Sequence, residues 1–187
     1  MKKQLLIVGV MLILIIVGLS GCTDKEDGIF SGLGYINEEW GFGLNPPEGW
    51  SVEYESSAYV IFVKSLDDNI TRNMTFAILA FKLDENKTIR SLYESTLENL
   101  NNFSDAILIS NKERTINGRE AYEIVAMKIK QNIQTEQKTI LIEVNKNLLL
   151  IINYEGPLDL HDLYDPVIEQ SINSLVIDEN HNYASDV

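Results

Sequence analysis

"KERTINGREAYEIVAMKIK", Lys112 to Lys130, sets two strand-like arms about Asn117-Gly118. Asn-Gly is the pair that a two-residue type I′ turn favours, because both central positions need φ > 0. Lys112 to Ile116 and Glu120 to Lys130 therefore read as a β-hairpin. Ala121, Ile124, Ala126 and Ile129 supply the apolar content of its second arm.

Further hairpins lie on both sides. Downstream, Lys138 to Val144 and Leu148 to Tyr154 pair about Asn145-Lys146-Asn147. The five aliphatics Leu148 to Ile152 predict a central strand buried on both faces. Ala106 to Ser110 reads as a separate strand. Upstream, Trp40, Phe42 and Leu44 alternate with smaller residues, and Trp50, Val52 and Tyr54 alternate with Ser51 and Glu53. Such alternation predicts half-buried strands on either side of the Asn45-Pro46-Pro47-Glu48-Gly49 turn. Tyr59 to Leu66 and Met74 to Phe81 follow as strands, with Asp67-Asp68-Asn69 opening the polar turn between them.

Two helices interrupt this series. Ile89, Leu92, Tyr93, Leu97 and Leu100 share one helical face, with Thr88 as N-cap and Asn101-Asn102 as exit. Val167, Ile168, Ile172 and Leu175 form the stripe of a second helix. Asp162 or Asp165 is its expected cap, and Pro166 is expected near its start. The order strands, helix, strands, helix predicts an α+β domain with an antiparallel sheet between helices.

Three stretches then carry a resemblance. "WGFGLNPPEGW" is similar to the strand and Pro-Glu-Gly-Trp turn that open PsbP-type domains. "TINGREAYEI" resembles their central hairpin, and "INYEGPLDLHDLYDPVIEQSINSLVI" their terminal strand and helix. Together they span Tyr35 to Ile177. The doubled Pro46-Pro47 departs from the family's single proline. The resemblance implies the α/β/α sandwich of PsbP, Mog-type Ran binders and several bacterial lipoproteins. It implies a mostly non-catalytic family that accompanies or assembles larger complexes. No photosystem role follows, because a fold does not transmit function.

At the N-terminus, Lys2 and Lys3 precede an apolar run from Leu5 to Leu19, the layout of a secretory signal. Such a run extends ~23 Å as a helix at ~1.5 Å per residue, short of the ~30 Å hydrocarbon core. Leu19-Ser20-Gly21-Cys22 resembles the lipobox of secreted lipoproteins. By that resemblance the Cys22 thiol receives a lipid, and cleavage before it makes Cys22 the new N-terminus. An ordinary signal followed by an unpaired thiol, and an uncleaved anchor, are the alternatives. The expected organisation is a lipoprotein signal at 1–21, a flexible tether at 22–34, a PsbP-like domain at 35–177 and a polar, frayed tail at 178–187.

Cys22 is the chain's single cysteine, so no internal disulfide forms. Losing Lys2 and Lys3 takes the formal charge from −13 to −15, which disfavours nucleic acid or anionic lipid as partners.

Candidate chemistry is sparse. A hydrolytic triad needs a histidine, and His161 and His181 are the two the chain has, with no Gly-x-Ser-x-Gly elbow to serve. Asp159, His161, Asp162 and Asp165 crowd one short stretch, and mixed His and carboxylate shells suit zinc or manganese. Acids at a helix N-terminus also satisfy free amides, and that capping role is the preferred reading over a metal site. Glu38 and Glu39 read as a solvated strand start. No nucleotide loop occurs and no cofactor is expected. Trp40, Phe42, Trp50, Tyr54 and Tyr59 could line a groove, but aromatics in alternating strands are more often core. Of four Asn-x-Ser/Thr sequons, at Asn69, Asn73, Asn86 and Asn102, those at Asn69 and Asn86 fall in predicted loops and are the better glycosylation acceptors.

The expected function is a lipid-anchored, non-catalytic binding or assembly-accessory module outside the cell membrane, with an unidentified protein partner. The alternative, of a different class, is a lipid-anchored enzyme or metal-dependent protein using the Asp159 to Asp165 turn.

Overall fold

The computed structural model describes residues 28–66, 73–102, 106–130, 133–145 and 148–181. Cys22, Asn69 and residues 182–187 lie outside them. The chain divides into Met1–Ser31 and Gly32–Val187, and the second unit carries the fold.

Its elements run β1 (Tyr35–Asn37), β2 (Phe42–Leu44), β3 (Ser51–Ser56), β4 (Tyr59–Ser65), β5 (Asn73–Lys82), α1 (Ile89–Asn102), β6 (Ala106–Ile116), β7 (Arg119–Lys130), β8 (Ile133–Asn145), β9 (Leu148–Pro157), α2 (Leu158–Asn173) and β10 (Val176–Ile177). Seven strands form one sheet in the order β3-β4-β5-β9-β8-β7-β6, and β1-β2-β10 form a small second sheet. All the pairings are antiparallel. The fold is therefore the expected α+β arrangement with a central antiparallel sheet and two helices.

The period-2 geometry of the strands sorts side chains between two cores. Leu149 of β9, Leu141 of β8, and Tyr122 and Ile124 of β7 meet Ile89 and Tyr93 of α1. Leu150 and Ile152 of β9, Ile140 and Ile142 of β8, and Phe76 and Ile78 of β5 meet Ile168 and Ile172 of α2, joined by Phe42 and Leu44. The aliphatic run in β9 thus feeds both cores. At Asn117 and Gly118 φ is +50° and +81°, as the hairpin reading requires.

Helix α1 begins as its sequence predicts. The Ser91 amide donates to Thr88 Oγ1 at 3.1 Å, and the Thr88 amide donates to Ser91 Oγ at 3.0 Å. Helix α2 does not. It starts at Leu158 with Pro157 as N-cap and no side-chain cap, so Asp162 and Asp165 are not caps but interior residues. Pro166 also lies inside the helix, past its midpoint, rather than near the start. The physical reason is that β9 runs straight into the helix at Pro157, whose φ of −56° suits a helix entry.

Three strands also differ from the reading. β3 is exposed along its whole length, because it is an edge strand with a register shift between Val52 and Tyr54. Ala106 to Ile116 is one strand rather than two, kinked by a register shift between Leu108 and Ser110. Glu38 and Glu39 lie exposed in the turn between β1 and β2, not in a strand.

The C-terminal segment from Asp178 to His181 is not frayed but closes the small sheet. The Asp178 amide donates to the Gly41 carbonyl at 2.8 Å, and His181 Nε2 sits 2.7 Å from the Glu39 carbonyl. Gly41, at φ +57°, has no room for a Cβ, which would come within 2.5 Å of the His181 ring. At the C-terminal end of α2, the Asn45 turn is tied down. The Asn45 amide donates to Ser174 Oγ at 2.8 Å, and Ser171 Oγ donates to the Asn45 carbonyl at 2.6 Å.

Candidate functional site beneath the second helix

Strand phase places charged residues where core residues are expected. In β6, Arg114 shares the face of Ile116; in β7, Glu123 shares that of Ala121; in β8, Glu136 and Lys138 share that of Ile140. All four lie under α2, which supplies His161, Asp165 and Glu169.

These groups pair across elements. Arg114 Nη1 contacts Glu123 Oε2 at 2.5 Å, and its Nη2 contacts Glu169 Oε2 at 2.8 Å. Lys112 reaches the other oxygen of Glu123 at 2.9 Å. Lys138 binds Asp165 and, at 3.3 Å, Glu169. The Glu123 and Lys138 side chains are only 4% and 8% exposed, so pairing is what makes their charges tolerable there.

The electrostatics follow. Burial opposes the Lys138 charge, but the Asp165, Glu169 and Glu123 carboxylates outweigh it and raise its pKa. Burial likewise opposes the Glu169 charge, and the Arg114 and Lys138 cations outweigh that and hold its pKa below the usual carboxylate value. Arg114 is raised further still, chiefly by its hydrogen bond to Glu169.

Beside this network lies an aromatic group. The Tyr154 and His161 rings are 4.4 Å apart, Trp50 and Tyr154 6.5 Å, and Trp50 and Tyr164 6.2 Å. His161 Nδ1 sits 3.0 Å from Glu136 Oε1. Burial, helped by the Lys138 charge, lowers the His161 pKa to about 4, and burial raises that of Glu136. At neutral pH the imidazole is therefore uncharged.

The four residues weighed as metal ligands are not gathered into a shell. His161 is buried against Tyr154 and engaged by Glu136, and Asp165 is engaged by Lys138. Asp159 and Asp162 are exposed. Among the described residues no group of three or more His, Cys, Asp or Glu is arranged to hold a metal ion. The aromatics do not form one groove either: Phe42 is core, Trp40 and Trp50 are half-buried, and Tyr54 stands 53% exposed beside Tyr59. Asn86 is exposed in the turn before α1, whereas Asn73 opens β5 and Asn102 ends α1. A separate cavity of about 380 Å³ lies between the Asn117-Gly118 turn and the end of α2, where Arg119 pairs with Glu179 at 3.0 Å.

Sequence reasoning missed Arg114, Glu123, Glu136, Lys138 and Tyr154. For the four charged residues the available signal was a charge in phase with core residues of its own strand.

No family model matches the chain, and no curated protein does. Solved structures do. The molecule has the architecture of PsbP- and Mog-type α+β proteins. The cyanobacterial PsbP of Synechocystis sp. PCC 6803 superposes with a TM-score of 0.57 at 14% identity, covering 86% of this chain and 99% of that one. LpqN of Mycobacterium tuberculosis, described as involved in cell envelope biogenesis, gives 0.60 at 18% identity over 73% of this chain and 82% of that one. The Ran-binding protein Mog1p of Saccharomyces cerevisiae gives 0.53 at 9% identity over 73% of this chain and 90% of that one. At these identities the likeness is one of fold.

Proposed function

We propose that this chain is a non-catalytic binding or assembly-accessory module, held through a lipid on Cys22 at the extracytoplasmic face of the cell membrane. The observation that carries the binding half is an apolar strip at one end of the sheet edge. Ile107, Ile109 and Ile129 are 57%, 50% and 62% exposed. Ile107 lies opposite Met127 in register, and Ile129 follows Met127 on the same face of β7. Exposed apolar side chains grouped about Met127 on an otherwise acidic protein suit a place where another protein is buried. The buried charges beneath α2 pair with one another, which suits a structural role rather than catalysis. Two of these structural neighbours, the Ran-binding Mog1p and LpqN of envelope biogenesis, fit a module that works through partners.

The anchoring half rests on Leu19-Ser20-Gly21-Cys22 and the apolar run before it. One short acyl chain holds weakly and two hold stably, at ~0.8 kcal/mol per buried CH₂. The acidic chain adds no basic patch to help.

Both halves are tested in the full chain in its own membrane. A photo-crosslinking amino acid at Ile107 is expected to give a discrete protein adduct that the same group at exposed Glu98 does not give, and Ile129→Lys is expected to remove it. Equal labelling from both positions would overturn the binding half. Intact mass and fractionation of wild type beside Cys22→Ser test the other: the wild type is expected at the membrane, beginning at a modified Cys22. A wild-type chain that keeps Met1 and a free thiol would overturn it.

A further inference from the structure

Buried polar atoms in folded proteins nearly always have a hydrogen-bond partner. Trp50 Nε1, Tyr154 Oη and His161 Nε2 are buried and have none within the protein. The rings that carry them pack together, with Tyr154 4.4 Å from His161 and 6.5 Å from Trp50 between ring centres. Tyr154 is fully buried and His161 is 4% exposed, so solvent at the surface does not serve them.

The chemistry of the three atoms narrows what completes them. The indole N–H is a donor only, and the phenol O–H donates while uncharged. His161 Nδ1 faces the Glu136 carboxylate at 3.0 Å, which places the ring proton on Nδ1 and leaves Nε2 as a bare acceptor. Two donors and one acceptor match a hydroxyl group, whose oxygen takes the first two bonds and whose proton goes to Nε2. An anion is disfavoured by the Nε2 lone pair and by the Glu136, Asp162 and Asp165 carboxylates around the ring. A metal ion is disfavoured by the two donors and by Lys138.

We propose that Trp50, Tyr154 and His161 form a seat for one hydroxyl group, supplied by a retained water molecule or by the alcohol end of a polyol. Trp50 and Tyr164 meet edge to face at 6.2 Å and are both partly exposed, so the seat lies nearest the surface on their side. The seat is independent of the apolar strip at Ile107.

The test uses the full chain in detergent, labelled with ¹⁵N in its two histidines and two tryptophans. The Trp50 indole proton is expected to cross-relax with a retained water or to shift saturably with glycerol; the first identifies water and the second a polyol. His161 Nε2 is expected to resonate as a hydrogen-bonded acceptor. Tyr154→Phe and Trp50→Phe should each move the Nε2 resonance while leaving His181 unmoved. An indole proton with neither response, or an Nε2 resonance typical of a free acceptor, would overturn the proposal. Both readouts exist in the wild type, so failure of a variant to fold leaves the test intact.

Discussion

Helices α1 and α2 cover opposite faces of one sheet and are specified in opposite ways. The first is local: a Thr88 cap, an apolar stripe at helical spacing, and a partner core made of Leu141, Leu149, Tyr122 and Ile124. Tyr93 stacks on Tyr122 at 4.5 Å and donates to Asn111 Oδ1 at 2.6 Å. The second has no side-chain cap and carries Pro166 inside. Its apolar stripe at Ile168 and Ile172 is supplemented by Arg114, Lys138 and Glu136, which reach it from the sheet. Local code suffices where the covered face is apolar; where charges are buried, the helix depends on partners brought from afar.

The largest expected effect breaks that dependence. Arg114→Met keeps side-chain volume but leaves Glu169 with only Lys138, and Glu123 with only exposed Lys112. Removing one partner of a buried pair costs ~3 kcal/mol or more, because the stranded carboxylates stay desolvated. Urea unfolding should show that loss. Adding Glu123→Leu and Glu169→Leu should recover much of it, since apolar replacements of whole ionic groups are often neutral. A single variant as stable as the wild type would mean that α2 is held by its apolar stripe alone.

How much of this was legible follows from sequence distance. The α1 cap and stripe lie within fifteen or so residues, roughly four helical turns. The Asn117-Gly118 turn needs two residues, and both were readable. Arg114 and Glu169 are 55 positions apart, and Lys138 and Asp165 are 27. Their pairing exists only after β6 to β9 have taken register, so no local pattern announces it. The acids at 162 and 165 resembled caps because the true helix entry, Pro157, also ends β9 and carries no capping side chain. β3 shows the converse failure: its alternation is real, but as an edge strand it buries neither face.

The pH dependence sharpens the contrast by a smaller amount. His161 is held at about 4 in the folded chain, chiefly by burial, against an ordinary value of 6.5. Between those values the unfolded chain binds more protons, so stability falls as pH drops through that window. The raised pKa of Glu136 works the other way, since its folded form takes up a proton more readily. His161 alone contributes a loss on the order of 2 to 3 kcal/mol between pH 6.5 and 4, and Glu136 reduces it. Glu169, held below 4.5, adds a loss of its own at still lower pH. Melting temperatures measured from pH 7 to 4 should show the decline, and His161→Gln should flatten it. An undiminished slope in that variant would move the dependence to other groups.

The smallest effect belongs to the locally specified helix. Thr88→Ala removes the Oγ1 acceptor of the Ser91 amide, while Ser91 Oγ keeps its bonds to the Thr88 amide and, at 2.8 Å, to the Thr88 carbonyl. Loss of an N-cap costs ~1 kcal/mol. The cap is exposed, so water can replace the lost acceptor and the damage should stay in the first turn. Hydrogen exchange is expected to quicken at Ser91 and Leu92 while amides of β9 hold, and the unfolding midpoint should move only slightly. Thr88 thereby measures how far α1 depends on its own end. A loss as large as that of Arg114→Met would show that both helices are docked by the same kind of tertiary constraint, and the distinction between them would disappear.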